Sequence, residues 1–421
     1  MGIPFKLAYN TAVQLIGKAV TATSTLLITY LVAKNFSIEG YGSYTAIFSY
    51  IALFYVLTDF GLNAVFVREA GSDSEKQKEY FKDLLGLRLV TSIIVVFVAT
   101  AILAFTGHPA LVKLGIIIAL GLVVAQSFAT TALALFQARI RYDQAVIADS
   151  FGAVANLILV YLAASNFKSI LFVIAALVLG GVVRVLVAFY IVRFQLGGLA
   201  VSFNTSFWRR LLITALPIGL IAIFSQFNAQ IDKQIVLLAN YKPALNLNGE
   251  TAVGVYGLAY KIFELAIVLP AFIMNVGYPI MVQKKEEGIV ALFNFAKKLA
   301  LALLVLGFFG LILGWLITPF IFKIPGLEKF SEGVSTTRIL LIGFPLFFIT
   351  PLTLWLAVTL SKAREMMFIY GFAALLNLSA NLVFVPSFGY NAAAVVTIFS
   401  ELVIFVLSLA VLYVAFRGKE T

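Results

Sequence analysis

The chain contains no cysteine, which excludes disulfides, thiolate metal sites and a cysteine nucleophile. Histidine is nearly absent. The single one, His108, stands beside Pro109 in a short polar interval and is expected in solvent, so neither a histidine relay nor a histidine metal site is anticipated. Charge is scarce as well, at 12% of 421 residues, where a soluble chain carries about a quarter. Glycine-rich phosphate loops, metal-spaced clusters and nucleotide motifs are missing. ATP hydrolysis, a resident metal and an organic cofactor are therefore not expected. The net charge of +11 falls mostly in short intervals between apolar runs, so it argues for no nucleic-acid partner.

What is abundant is apolar surface: 62% of the residues are hydrophobic, with a mean hydropathy of +1.04. The apolar runs are roughly 20 residues long and lack a period of two, which selects helices over barrel strands. The expected class is an all-α polytopic membrane protein with about twelve spans. Their approximate limits are 10–33, 43–67, 84–106, 111–136, 144–164, 169–194, 209–239, 252–280, 290–320, 334–361, 366–385 and 390–416. Lys18 interrupts the first run, which continues to Ala33 and reads as a full span rather than a signal peptide.

Basic residues crowd one side of this array. Lys6, the Arg68–Arg88 group, Arg139, Arg141, Arg193, Arg209, Arg210, Lys284, Lys285, Lys297, Lys298, Lys362, Arg364, Arg417 and Lys419 share it. Lys34, Lys113, Lys168, Lys242, Lys323 and Lys329 lie opposite. The bias places both termini in the cytoplasm, as an even number of spans requires.

The longest internal cytoplasmic connection, QLGGLAVSFNTSFWRR, divides the chain. Residues 1–194 form an expected N-terminal lobe, 195–208 an inter-lobe linker that either lies at the headgroup level or is an ordinary connection, and 209–421 a C-terminal lobe. Short matches relate the halves: Gly42-Ser43-Tyr44 to Gly254-Val255-Tyr256, and Ala155–Val160 to Ala380–Val385. Six spans per half make these parallel repeats, related by a pseudo-two-fold along the membrane normal, and two lobes around a cavity are expected.

Charge at span depth costs roughly 2.5–3.5 kcal/mol per residue on insertion scales, so each such group invites a reason. Lys18, Arg184, Lys233 and Lys261 form a set biased toward positive charge, which favours a cavity that binds an anion. Arg184 stands alone in its span; Lys261 and Glu264, three apart, can pair. Asp59 and Asp232 lie deep in their spans, where interhelical bonding and function are both open readings, and Glu401 lies within the twelfth. Gln14, Asn63, Gln226, Gln230, Asn377 and Asn381 supply polar groups for a cavity wall, although Asn377 and Asn381 also suit packing hydrogen bonds. Arg338, near a span end, can reach the interface. Pro217, Pro270, Pro345 and Pro351 mark candidate bends.

Leu31–Ala70, with its EGYG turn, D-F-G-L ending and closing R-E, resembles the end of span one and the whole of span two in polysaccharide exporters. Gln230–Lys233 with Ala252–Ile262 is similar to the matching element of the second half, and Asn377–Ser400 to that family's penultimate hairpin. The family is the polysaccharide transport branch of the multidrug/oligosaccharidyl-lipid/polysaccharide exporters, including Wzx-type O-antigen flippases. The resemblance implies a MATE-like two-lobed fold, alternating access and no enzymatic activity. The implied cargo is a lipid-linked oligosaccharide on undecaprenyl pyrophosphate, moved from the inner to the outer leaflet of the cytoplasmic membrane. Lys18, Arg184, Lys233 and Lys261 would then meet the pyrophosphate. Asp59, then Asp232 and Glu264, would couple transport to H⁺ or Na⁺. The implied partners are the cargo and membrane lipids, with the protein a monomer near glycan-synthesis proteins. The alternative is a MATE-like cation or drug antiporter, whose cavity would be dominated by carboxylates.

Overall fold

The computed structural model describes residues 3–71 and 73–417, and among them every regular element is a helix. The side chain of Lys6 and the whole of Lys419, both assigned above to the cytoplasmic side, lie outside the described residues. The chain divides into two compact units, Met1–Gly219 and Leu220–Thr421.

The first unit holds α1 (Ile3–Asn35), α2 (Ile38–Asp59), α3 (Leu62–Ala70), α4 (Ser74–Ala104), α5 (Ala110–Ala138), α6 (Tyr142–Asn166) and α7 (Ile170–Leu196). Helix α8 (Thr205–Leu238) begins in it and continues into the second unit. The second unit adds α9 (Gly249–Ala266), α10 (Val268–Glu287), α11 (Ile289–Ile321), α12 (Gly333–Ile342), α13 (Phe344–Thr359), α14 (Ala363–Phe388) and α15 (Tyr390–Arg417). Eleven of these segments are long and apolar enough to cross a membrane, and twelve if the α12–α13 pair, bent by 44°, is one span. The upper count equals the number expected from the runs.

Local chemistry sets the boundaries. Ser37 accepts the Gly40 amide at the start of α2, and Asp73 accepts those of Glu75 and Lys76 at the start of α4. Such caps satisfy donors that a helix start leaves unpaired. The D-F-G-L sequence breaks the second span: Phe60 (φ 45°) and Gly61 (φ 72°) both turn left-handed between α2 and α3. Pro270 follows the α9–α10 break and Pro345 the α12–α13 bend, because a proline removes the donor that would continue the helix. Pro217 and Pro351 sit inside α8 and α13.

In the first unit Leu62, Phe66, Phe81, Leu84, Phe136, Val192 and Leu211 form a buried core. In the second, Met274, Met281, Leu292, Leu303, Leu352 and Met366 do so. Large apolar residues such as Phe97, Leu186, Phe194, Leu301, Phe309 and Leu316 are exposed, the pattern of a surface solvated by hydrocarbon. The segment read as a linker packs onto the first unit: the Ser202 amide donates to Lys82 O, and Trp208 Nε1 donates to Asp83 O at 2.8 Å.

Two expectations are corrected. His108 is buried, with Nδ1 2.6 Å from Thr106 Oγ1 and its ring edge-on to Tyr50. Arg88 is not a loop cation; it lies inside α4 and is wholly enclosed. Its position next to a lysine-rich stretch disguised it, although the flanking LLGLRLV sequence is apolar on both sides.

Gly249 opens α9 against the end of α8, and a Cβ there would lie 1.8 Å from Leu237 O. Backbone cannot yield as a side chain can, so Gly249→Ala is expected to cost about 1–3 kcal/mol. Gly107, with nothing within 4 Å of its Cβ position, serves as the control. Thermal melting of the purified variants checks this: Gly249→Ala melts lower and Gly107→Ala melts near wild type.

Candidate functional site

Most of the charged side chains at span depth are gathered into small clusters that draw on several helices; Lys18 is an exception. In the first unit the break after α2 brings Asp59 and Asn63 beside α4. Arg88 Nη2 donates to Asp59 Oδ1 (3.0 Å) and Asn63 Oδ1 (2.7 Å). Its Nη1 donates to Thr130 Oγ1 of α5 (2.7 Å) and to the Thr58 carbonyl. Asn63 Nδ2 closes the cluster on Thr130 O. Arg88 thus ties α2, α3, α4 and α5 together. Asp59, nominated for ion coupling, is held by this arginine through one oxygen while its side chain stays 46% exposed.

The second cluster surrounds Arg184. Alone in its own span, it finds partners on two others: Nε donates to Asp149 Oδ1 of α6 (2.6 Å) and Nη1 to Gln126 Oε1 of α5 (2.8 Å). Its side chain remains 27% exposed. Gly152, one turn after Asp149, makes room, since a Cβ there would lie 2.7 Å from Arg184 Cβ. The sequence signal for Gln126 was weak, a single amide in a long apolar run. Lys18 and Gln14 of α1 are exposed, and Lys18 has no ion pair among the described residues.

The second unit repeats the theme on α8, α9 and α15. Asp232 is fully buried; Oδ2 accepts from Tyr256 Oη and, at 3.4 Å, from Thr397 Oγ1, while Oδ1 accepts the Lys233 amide. Lys233 is buried too. Its Nζ donates to Ala229 O (2.5 Å), lies 3.4 Å from Asp232 Oδ1 and sits 3.4 Å from the centre of the Tyr260 ring. An ammonium over an aromatic face is attracted by the ring quadrupole, and desolvation strengthens the attraction. Lys261 pairs with Glu264 at 2.8 Å, both about one-third exposed, and Gln230 approaches the Glu264 carboxylate. Gln226 is half-buried.

Asn377 and Asn381 of α14 are buried, and Asn377 faces α15. Asn377 Nδ2 donates to Ser400 Oγ (3.2 Å), and Asn381 Nδ2 donates to Asn377 O and Oδ1. Asn156 and Asn381, which occupy matching positions in the repeated ANL motifs, each keep a buried amide oxygen without a partner. Arg338 sits with its guanidinium 5.0 Å over Trp315 and its Nε buried and unpaired. Also in the second unit, a cavity of about 260 Å³ is lined by residues that include Asn228, Tyr260, Tyr370, Thr397 and Glu401.

A sequence profile described as "Polysaccharide biosynthesis protein" matches residues 7–285. No curated protein matches the chain in sequence. Among solved structures, an inward-facing multidrug resistance MATE family transporter of the MOP superfamily is similar over 95% of this chain and 96% of its own, with a TM-score of 0.76 and 15% identity. The lipid II flippase MurJ in an inward closed conformation is similar over 96% and 87%, at 0.74 and 16%. A MOP superfamily transporter from Pyrococcus furiosus, described as having a binding pocket of reverse polarity, is similar over 99% of this chain and 96% of its own, at 0.68 and 16%. These likenesses establish the fold.

The Arg88 cluster sets a stability test. Arg88→Ala leaves Asn63, Thr130 and one Asp59 oxygen without their donor, and breaking a buried pair from one side costs roughly 3–5 kcal/mol. The lower end is expected, because half-exposed Asp59 can recruit water. Asp59→Ala is expected to be milder, since Arg88 keeps three of its four acceptors. Detergent-solubilised melting and membrane yield of the two variants check the order.

Proposed function

The chain belongs to the polysaccharide biosynthesis protein family, and on that premise we propose that it is a flippase for a lipid-linked oligosaccharide. It carries a glycan on undecaprenyl pyrophosphate from the inner to the outer leaflet of the cytoplasmic membrane by alternating access. It draws on a gradient of H⁺ or Na⁺.

One observation carries this reading. Each unit presents a partly exposed cation at span depth that is paired to a carboxylate: Arg184 with Asp149, and Lys261 with Glu264. A charge pair of this kind is neutral while empty, so the membrane tolerates it. A pyrophosphate offers the same cation a stronger, multidentate acceptor and can displace the carboxylate. Arginine's planar fork suits two phosphate oxygens at once, whereas lysine acts as a compact charge. Lys18, exposed on α1 and without an ion pair among the described residues, is a further cation of the first unit. Lys233, enclosed by Asp232, Ala229 O and the Tyr260 ring, contributes its charge rather than direct contact.

The freed carboxylates give the coupling ion its place. Once phosphate holds Arg184 or Lys261, Asp149 or Glu264 lacks a counter-charge and takes a proton or Na⁺. Asp232, held by Tyr256 and Thr397, and Asp59, held by Arg88, bind an ion only after giving up those contacts. The ion is taken from the outer side and is released to the inner side when the empty protein re-forms its ion pairs, so it crosses opposite to the cargo and an inward gradient drives export.

Single replacement of Lys18, Arg184 and Lys261 by Ala tests the reading, with surface glycan measured at matched protein levels. Contacts to charged groups are worth about 1.5–3 kcal/mol, so export is expected to fall roughly tenfold or more for Arg184→Ala and Lys261→Ala. Arg184→Lys is expected to retain part of it. Full export in all three alanine variants removes the phosphate-binding role.

A further inference from the structure

Between α7 and α8, residues 199–204 belong to no helix, yet Leu199, Val201 and Phe203 are 44%, 46% and 61% exposed. Contiguous exposed apolar side chains mark a surface that meets another apolar phase. The backbone here is pinned, so the exposure is built into the fold. The Ser202 amide donates to Lys82 O at 3.1 Å. A Cβ on Gly86 would lie 1.9 Å from Ser202 O, so glycine is what lets this strap lie so close to α4. Asn204 Nδ2 reaches Asp83 Oδ2 at 3.4 Å, and Trp208 Nε1 donates to Asp83 O. Val201 and Phe203, on either side of the pinned Ser202, remain outward.

The anchors fix the height of the strap. The sixth expected span ends at 194, the third begins at 84 and the seventh begins at 209. Gly197 at the end of α7, Ser202 on Lys82, and Trp208 in α8 therefore all lie within about three residues of a span limit, on the side with the basic excess. At 1.5 Å per helical residue that is about 5 Å or less. One headgroup layer is roughly 5–7 Å deep, so the strap lies within it rather than in open water. Gly197 (φ 69°) and Gly198 (φ 152°) turn the chain out of α7 at this level.

Two further features point to lipid. The exposed face of α7 runs into the strap, with Tyr190 and Phe194 one turn apart and 66% and 71% exposed. Arg193 and Arg209 flank the strap, exposed and without an ion pair among the described residues, whereas Arg210 is held by Glu69 at 3.0 Å. An apolar tip between basic flanks is the composition of a segment that lies in a membrane surface. Near an anionic leaflet each such arginine raises affinity about fivefold.

We propose that the stretch from Leu199 to Arg209 is a membrane-docking strap in the cytoplasmic headgroup layer. Leu199, Val201 and Phe203 sit among the upper acyl carbons, and Arg193 and Arg209 bind the phosphates of anionic phospholipids. The inference goes beyond the flippase reading and does not depend on the cargo.

The chain contains no cysteine, so single nitroxide labels report without interference. Leu199→Cys, Val201→Cys and Phe203→Cys are labelled in full-length protein and reconstituted in liposomes of phosphatidylcholine, with or without phosphatidylglycerol. Phe97→Cys, on the exposed face of α4 within its span, marks hydrocarbon, and Lys76→Cys marks water. Electron paramagnetic resonance compares collisions with oxygen, which concentrates in lipid, and with a water-soluble nickel chelate. The oxygen-to-nickel ratio at the three strap positions is expected to exceed that at Lys76→Cys severalfold and to rise further with phosphatidylglycerol. Adding Arg193→Gln and Arg209→Gln is expected to abolish the further rise and to leave the ratio in phosphatidylcholine unchanged. Water-like ratios at all three positions overturn the strap. A ratio indifferent to phosphatidylglycerol, or a rise that survives loss of both arginines, overturns the anionic-lipid assignment and the proposal with it. Protection from both reagents identifies a covering protein surface, such as a second copy of this chain, and likewise overturns it. Phe203→Cys removes a ring that stands 6.0 Å from Trp208, and the other two labels keep the test open should that variant fail to fold.

Discussion

The constraint on which this structure depends is the cost of isolated charge away from water. A bilayer offers no solvent to an ammonium or a carboxylate, so each one at span depth must find compensation within the protein. The chain meets this demand with clusters that reach across helices. Arg88 meets acceptors on α2, α3 and α5. Arg184 links α7 to α5 and α6. Asp232 joins α8 to α9 and α15. The same contacts specify how the helices pack, since apolar surfaces alone gain little from meeting each other in lipid.

The clusters differ in enclosure, and that difference suggests a division of labour. Arg88 and Lys233 are sealed, and their partners hold helices together. The Arg184–Asp149 and Lys261–Glu264 pairs are partly open, so an incoming anion can compete for the cation. A site that is neutral when empty and cationic when its carboxylate is displaced or protonated is suited to a cargo that must be both captured and released. The cavity of the second unit, lined in part by Asn228 and Glu401, is polar and carries no basic residue.

Much of the fold was legible because hydrocarbon solvation writes itself into composition. Runs of about 20 apolar residues gave the spans, and Pro270 and Pro345 stand where helices break. The break at Phe60–Gly61 was not anticipated, although the D-F-G-L sequence that makes it was read as a family motif. Partnership was the less legible layer. Lys261 with Glu264 is a local i,i+3 pair and can be seen in the sequence. Arg184 with Asp149 spans 35 positions, and Arg88 with Asp59 spans 29; neither spacing has a periodic signature. Arg88 was further hidden by neighbouring lysines, and His108 by an adjacent proline that suggested an exposed turn. Asn228 could be seen only as one polar residue among several in its span; that its amide lacks a partner exists only in three dimensions.

The central claim is that paired charges at span depth carry a pyrophosphate-linked sugar lipid across the bilayer at the expense of an ion gradient. The most direct measurement reconstitutes the purified protein in liposomes with a fluorescent polyprenyl-pyrophosphate sugar and follows its transfer between leaflets by quenching from outside. The account predicts that an imposed H⁺ or Na⁺ gradient drives net transfer and that reversing the gradient reverses it. Folded protein that leaves the lipid's leaflet distribution unchanged under both gradients would contradict the account.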